Sequence, residues 1–89
     1  MNTWDEAKRE ATLRGRGLDF ADAEEIFVGD FVTREDRRRD YGERRYITGG
    51  WLNGRFVILT WTPRPDGRRI ISLRHGHGPE EARYRRYMD

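Results

Sequence analysis

The sequence predicts an α+β domain, with two N-terminal helices, an antiparallel sheet of three or four strands and a C-terminal helix. Helix-capping signals occur near the start of the chain and again after Gly78. Between them, several short segments from Phe31 to Arg74 are rich in β-branched and aromatic residues or alternate apolar and polar residues, which is typical of β-strands. The Asn53-Gly54 pair in this stretch favours a two-residue hairpin turn. Because a chain of 89 residues buries only a thin core, we expect residues 1–89 to form a single domain.

The first helix is expected to begin near Trp4. Thr3 and Glu6 have the spacing of a capping box, and Asp5 is also able to cap. The helix should continue to Leu13 and end at the glycines that follow, because glycine readily adopts the positive φ found at helix C-termini.

A second helix should begin at Asp19, whose side chain is suited to cap it. The apolar residues after Asp19 have helical spacing and should face the core: they are Phe20, Ala23, Ile26 and Phe27. Gly29 should end this helix.

Strand signals fill the middle of the chain and cover residues 31–34, 44–50, 55–62 and 69–74. The charged run from Glu35 to Asp40 is expected to be a solvated, mobile loop. Pro79 is suited to the first turn of the final helix, because that turn needs no backbone N–H from it.

Alternation on the last two strands separates two faces of the sheet. One face is apolar and should be buried against the helices: Val57, Leu59, Trp61, Ile71 and Leu73. Arg55 and Arg69 should be exposed. The other face begins apolar and becomes polar: Phe56, Ile58, Thr60, Thr62, Ile70, Ser72 and Arg74. Its polar end suits an RNA backbone, and it equally suits the exposed face of an ordinary sheet.

The basic residues are almost all arginine, since Lys8 is the only lysine among 18. Arginine binds phosphate bidentately and stacks on bases, so this bias suits RNA binding; a GC-rich genome gives the same bias. The absence of cysteine excludes disulfides and thiolate chemistry. No stretch is apolar enough for a signal peptide or membrane span, so we expect a cytoplasmic protein without membrane contact.

Several short features follow one another along nearly the whole chain: Trp4-Asp5 with Lys8, Gly17-Leu18-Asp19-Phe20, Tyr41-Gly42-Glu43 with Arg45, Gly54-Arg55, Thr62 with Arg64, Ile70-Ile71-Ser72 with Arg74, and the segment Glu80 to Tyr84. In this order they resemble the BrnT family, small RelE-like ribonuclease toxins of bacterial type II toxin–antitoxin pairs. The resemblance implies a metal-independent endoribonuclease without cofactor that inhibits translation and growth. It also implies a BrnA-like ribbon-helix-helix antitoxin and an assembly of two toxins with two antitoxins.

RNA cleavage without a metal requires a cation for the phosphate and groups that transfer protons. Arg74 is predicted to hold the phosphate, with His75 or His77 as acid or base and with Tyr84 joining from the last helix. The histidines have an equally simple interpretation as residues of a flexible turn. The predicted catalytic residues are Arg74, His75, His77 and Tyr84, and the predicted substrate-binding residues are Arg16, Thr62, Arg64 and Glu80. The spacing of the two histidines gives no metal site.

The chain departs from the family pattern in three places. The family's usual opening strand is curtailed, since only Met1 to Thr3 precede Trp4, and His75 follows Arg74 where lysine is common. The third departure is a pair of positions. Family members typically have Lys-His before the glycine that precedes Leu-Asp-Phe, and this chain has Gly15 and Arg16 there. Arginine does not act as a base at neutral pH, and compensation by His75 or His77 is one explanation. The alternative function is therefore a catalytically weak or inactive module of the same fold that binds RNA or antitoxin. A DNA-binding regulator is a third interpretation, but the sequence has no recognition-helix signature.

Overall fold

Five strands form one mixed sheet in this computed structural model, which describes residues 1–88. The strands are β1 (Thr3–Trp4), β2 (Phe31–Glu35), β3 (Tyr46–Leu52), β4 (Arg55–Arg64) and β5 (Gly67–His75). Their order across the sheet is β1-β5-β4-β3-β2. The helices are α1 (Glu6–Arg16), a 3₁₀ helix (Phe20–Phe27) and α2 (Gly78–Met88). The predicted α+β class is confirmed, but the sheet has more strands than predicted and is not wholly antiparallel.

The additional strand is β1, which pairs in parallel with Arg69 and Ile70 of β5. Thr3 therefore belongs to a strand and does not cap a helix, so the predicted capping box is wrong. Asp5 caps α1 instead, because its carboxylate accepts a hydrogen bond of 3.0 Å from the backbone N–H of Lys8. A strand of two residues is too short to produce the alternation that identifies strands in a sequence.

The second predicted helix is present but is wound as a 3₁₀ helix. Asp19 caps it as predicted, accepting a 2.9 Å hydrogen bond from the N–H of Ala21. Phe20, Ala23 and Ile26 are buried as predicted. These three residues are spaced by three positions, and a helix with three residues per turn places all of them on one side.

One face of the sheet packs against α1 and the 3₁₀ helix, as the alternation predicts. Val57, Leu59 and Leu73 are fully buried there, Trp61 is partly buried beside them, and Arg55 is exposed as predicted.

A β-bulge changes the register of β5 on this face. Thr60 pairs with Ser72 and Trp61 pairs with Ile70, so Ile71 has no partner on β4. Ile70 consequently takes the buried position, and the prediction that Ile71 is buried is wrong, since it is only half-buried. Arg69 is also half-buried rather than exposed, because β1 pairs alongside it.

Helix α2 covers the apolar part of the second face. Ile47, Phe56, Ile58 and Tyr84 form a second buried cluster there. Gly49 permits this close packing, because a Cβ at its position would lie only 2.5 Å from the ring of Tyr84. A hollow remains at the polar end of this face.

The segment after β2 is a loop, but it is not uniformly solvated as predicted. The Asp36 side chain is 1% exposed and accepts two hydrogen bonds of 2.8 Å from the Arg38 guanidinium. The Tyr41 hydroxyl donates a third, of 3.0 Å. Further along, Asn53 and Gly54 have positive φ angles of 52° and 78°, which confirms the predicted hairpin turn. Within residues 1–88, no helix has the length and apolar character needed to cross a membrane.

Candidate active site

Three arginine side chains meet around one polar hollow of about 270 Å³ on the α2 side of the sheet. Arg34 comes from β2, Arg38 from the loop that follows, and Arg74 from β5. We term this site, defined by these three residues, the arginine hollow. The rest of its lining is Ile47, Ile58, Thr60, Ser72, Glu80 and Tyr84.

Strand pairing brings the polar residues of the hollow together. Thr60 lies opposite Ser72, and Arg74 lies opposite Ile58 on the neighbouring strand. The same face continues through β3 to β2, where Arg34 pairs with Ile47. The alternation predicts that Thr60, Thr62, Ser72 and Arg74 converge at the polar end of this face. The hollow brings together Thr60, Ser72 and Arg74, but Thr62 is not part of its lining.

Arg74 is held by Glu80 from the first turn of α2. Its guanidinium donates hydrogen bonds of 2.9 and 2.7 Å to the two carboxylate oxygens. The carboxylate also accepts a 3.0 Å hydrogen bond from the backbone N–H of His77. The pKa of Glu80 is lowered to about 2, mainly by the hydrogen bonds from Arg74. The hydrogen bonds to the Glu80 carboxylate in turn raise the pKa of Arg74. Both groups are therefore charged at neutral pH, and Arg74 is fixed in orientation.

The other two arginines are positioned differently. The hydrogen bonds from Arg38 hold the pKa of Asp36 well below its ordinary value, and Asp36 raises the pKa of Arg38. This buried carboxylate thus fixes Arg38 at the hollow. The Arg34 guanidinium lies 5.9 Å from the centroid of the Tyr84 ring, in the geometry of a cation–π contact.

Tyr84 lies one turn after Glu80 on α2, so both side chains reach the same hollow. Its ring is buried and packs 5.6 Å from that of Phe56, measured between centroids. This packing leaves the phenol little freedom to change orientation.

The two histidines lie in different places. His77 has a side chain that is 76% exposed, with Nε2 3.6 Å from a Glu80 oxygen, so it lies at the rim of the hollow. His75 follows Arg74 directly on β5 and points to the opposite face. Its Nε2 lies 3.1 Å from the backbone oxygen of Arg16. The structure therefore brings together three of the four predicted catalytic residues and separates His75 from them.

Three of the predicted substrate-binding residues lie outside the lining of the arginine hollow. Thr62, which was predicted to converge with Thr60, Ser72 and Arg74, is buried instead, and its hydroxyl donates a 2.6 Å hydrogen bond to the Arg44 carbonyl. Arg64 extends to Glu43, 3.4 Å away. Arg16 donates a 2.9 Å hydrogen bond to the Leu73 carbonyl. Glu80, the fourth, lines the hollow.

A second hollow, of about 400 Å³, lies between α1 and β5. Gly15 and Arg16 line it together with Lys8, and Ser72 lines both this second hollow and the arginine hollow. The His75 ring lies next to this region through its contact with the Arg16 backbone.

Sequence reasoning did not identify Arg34 and Arg38 as site residues. They lie in a short strand and a charged loop, where arginine is common on any solvated surface. The register between β2 and β3 puts Arg34 beside Ile47, and the buried Asp36 holds Arg38. Within residues 1–88, no group of three or more histidine, aspartate or glutamate side chains is arranged to bind a metal ion.

Comparison of the sequence with models of known protein families gives a match to one family. The model of the ribonuclease toxin BrnT of type II toxin–antitoxin systems matches residues 4–80. No curated protein compared with the chain matches it significantly.

Proposed function

Because the chain belongs to the BrnT family of ribonuclease toxins of type II toxin–antitoxin systems, we propose that it is a metal-independent endoribonuclease that inhibits translation and growth. We propose the arginine hollow as the place where it binds the RNA phosphate. The observation that carries this proposal is the convergence of Arg34, Arg38 and Arg74 on one polar hollow.

The charge of the hollow suits a transition state in which negative charge grows on phosphorus-bound oxygens. In this mechanism the RNA 2′-oxygen attacks phosphorus and loses its proton to a base. The bond from phosphorus to the 5′-oxygen breaks, and an acid protonates that oxygen. The products are a 2′,3′-cyclic phosphate and a 5′-hydroxyl. The fixed guanidinium of Arg74 would stabilise the pentacoordinate phosphate.

Proton transfer falls to Tyr84 and His77. Tyr84 lines the hollow, and the exposed His77 ring at its rim is able to reach a bound strand. Glu80 is a poor base, because its pKa of about 2 leaves it little affinity for a proton. Its role is to position Arg74.

The second hollow is proposed to hold RNA beside the cleaved bond. Ser72 lines both hollows, and Lys8 and Arg16 supply cations there. His75 lies beside Arg16, the position where family members typically have histidine. This proximity supports a role for His75 in positioning RNA beside the place of the missing histidine.

The partner proposed for this toxin is a BrnA-like ribbon-helix-helix antitoxin, in an assembly of two toxins and two antitoxins. The family supports an antitoxin partner, and the arginine-rich surface suits an acidic segment of it.

The alternative function is a catalytically weak or inactive module that binds RNA or antitoxin. Two observations favour it: Gly15-Arg16 replaces Lys-His, and the Arg74 guanidinium is already engaged by Glu80.

Expression in cells that lack the antitoxin separates the two functions. The ribonuclease proposal predicts growth arrest by the wild-type protein and relief of arrest by Arg74→Ala. The Arg14→Ala variant, which changes an exposed arginine on α1 that lines neither hollow, is the matched control and should still arrest growth. A wild-type protein that is folded and abundant but causes no arrest supports the binding module. Arrest by a folded Arg74→Ala protein at the wild-type level would exclude the arginine hollow as the site.

A further inference from the structure

The outer edge of β2 has unpaired backbone groups. Strand β2 lies at the end of the sheet, and among residues 1–88 no strand pairs with its outer side. The N–H of Asp36 donates a 2.7 Å hydrogen bond to the carbonyl of Arg45. In an antiparallel pair, every second residue of a strand bonds to the neighbouring strand, so this bond shows which residues of β2 face β3. Arg34, two residues before Asp36, therefore bonds toward β3. The N–H and C=O groups of Thr33 and Glu35 point away from β3.

A groove of about 300 Å³ lies beside this edge, between β2 and α2. Its lining residues are Val32, Thr33, Arg34, Arg83, Tyr84 and Tyr87. Large apolar side chains are exposed around it, since Tyr87 is 80% exposed and Phe31, on the other face of β2, is 41% exposed. Exposed aromatic surface next to a free strand edge is typical of a docking site for an extended peptide.

The charge of the groove indicates which kind of partner binds there. Arg34 and Arg83 line the groove, and no acidic residue is part of its lining. An acidic segment would match these cations. A polypeptide also supplies the alternating carbonyl and N–H groups that Thr33 and Glu35 need, whereas an RNA strand would match only the cations.

We propose that an extended acidic segment of the antitoxin pairs with the outer edge of β2 as a sixth strand, with its acidic side chains toward Arg34 and Arg83. This inference rests on the proposed function, in which an antitoxin is the partner and the arginine hollow binds RNA. Arg34 and Tyr84 line both the groove and the arginine hollow. The docked segment therefore withdraws Arg34 from the RNA phosphate, and antitoxin binding and RNA binding compete.

Amide hydrogen exchange tests the strand pairing directly. The protein is ¹⁵N-labelled and compared free and in complex with its cognate antitoxin, which we expect the neighbouring reading frame to encode as a small ribbon-helix-helix protein. Hydrogen bonding to a sixth strand should slow exchange of the Thr33 and Glu35 amides by about 100-fold or more. Exchange at both amides as fast in the complex as in the free protein would overturn the proposal. Protection by RNA but not by the antitoxin would also overturn it.

Matched variants test the same surface by affinity. Thr33→Pro removes the outward N–H, and Thr33→Val keeps it while losing the 2.7 Å hydrogen bond to the Thr48 hydroxyl. Arg83→Glu reverses a charge in the groove, and Arg14→Glu reverses an exposed charge on α1. Thr33→Pro and Arg83→Glu should each raise the antitoxin Kd by about tenfold or more, which is about 1.4 kcal/mol. The two controls should leave the Kd unchanged.

RNA cleavage by the free proteins separates this inference from the proposed function. Arg83→Glu lies outside the catalytic groups and should cleave RNA like the wild type. If a folded Arg83→Glu protein binds the antitoxin with unchanged affinity, the proposed docking surface is contradicted, even when that protein cleaves RNA normally. Absence of cleavage by the wild type contradicts only the ribonuclease function, because antitoxin affinity is measured without it.

Discussion

Glu80 holds Arg74 through two hydrogen bonds, of 2.9 and 2.7 Å, and accepts a third from the backbone N–H of His77. This carboxylate therefore ties the end of β5 to the start of α2. It holds the guanidinium of Arg74 in a fixed orientation at the hollow where we propose that RNA binds.

The first prediction concerns how the stabilisation of the fold by Glu80 and Arg74 depends on pH. The pKa of Glu80 falls from an ordinary 4.5 to about 2 in the folded protein. A lowered pKa means that the pair stabilises the fold fully above about pH 4.5 and loses this effect as the pH falls toward 2. Because Arg74 is partly exposed, we expect Glu80→Gln to reduce the free energy of unfolding by about 1–2 kcal/mol at pH 7.

Urea unfolding at pH 7 and near pH 2 measures this effect. The matched control is Glu81→Gln, which removes an exposed ion pair with Arg85 and should cost about 0.5 kcal/mol or less. The difference between wild type and Glu80→Gln should shrink at the lower pH. Equal stability of the two variants at pH 7 would contradict the prediction.

The second prediction tests the β-bulge. Ile70→Ala should reduce the free energy of unfolding by about 2–4 kcal/mol, because Ile70 is 2% exposed in the core. Ile71→Ala should cost less than about 1.5 kcal/mol, since Ile71 is half-buried beside α1. Chemical denaturation of both variants provides the comparison. A larger loss for Ile71→Ala than for Ile70→Ala would mean that β5 pairs with β4 without a bulge.

The third prediction concerns Asp36, which positions Arg38. Asp36→Asn loses the charge that accepts two hydrogen bonds from Arg38, and it should destabilise the fold by about 1–3 kcal/mol. RNA cleavage should also fall, because Arg38 is no longer held at the hollow, and the loss should appear mainly in KM. Asp40→Asn makes the same change at an exposed position of the loop and should affect neither quantity. A folded Asp36→Asn protein with unchanged KM would show that Arg38 does not contact RNA.

The fourth prediction distinguishes the two histidines. His77 lies beside Glu80 at the rim of the arginine hollow, whereas His75 contacts the Arg16 backbone on the opposite face. His77→Ala should therefore change the pH profile of kcat/KM, and His75→Ala should leave its shape unchanged. The opposite result would move proton transfer to the second hollow and support the replacement of the family histidine by His75.

Sequence patterns predicted those parts of the fold that are determined by residues close together in the sequence. Alternation on β4 identified the buried Leu59, helical spacing identified Phe20, and Asn53-Gly54 identified the turn. The bulge at Ile71 and the two-residue strand at Thr3 were missed, because neither leaves a periodic pattern. For the same reason the sequence placed Ile71 in the core in place of Ile70.

The candidate site was predicted only in part, because it depends on contacts between distant segments. Arg74 and Tyr84 were identified from their places near the end of the chain. Arg34 and Arg38 enter the site through the pairing of β2 with β3 and through the buried Asp36. A charged loop gives no sequence signal that one of its carboxylates is buried.

RNA cleavage by the purified protein in the presence of excess EDTA tests the central claim most directly. The wild type should convert a single-stranded RNA into fragments that end in 2′,3′-cyclic phosphate. Arg74→Ala should be slower by about 10²–10³-fold, as expected on loss of one electrostatic donor. Arg14→Ala, which changes an exposed arginine that lines neither hollow, should cleave at the wild-type rate. A wild type that cleaves only when a divalent metal is added, or a folded Arg74→Ala protein that cleaves as fast as the wild type, would contradict the account.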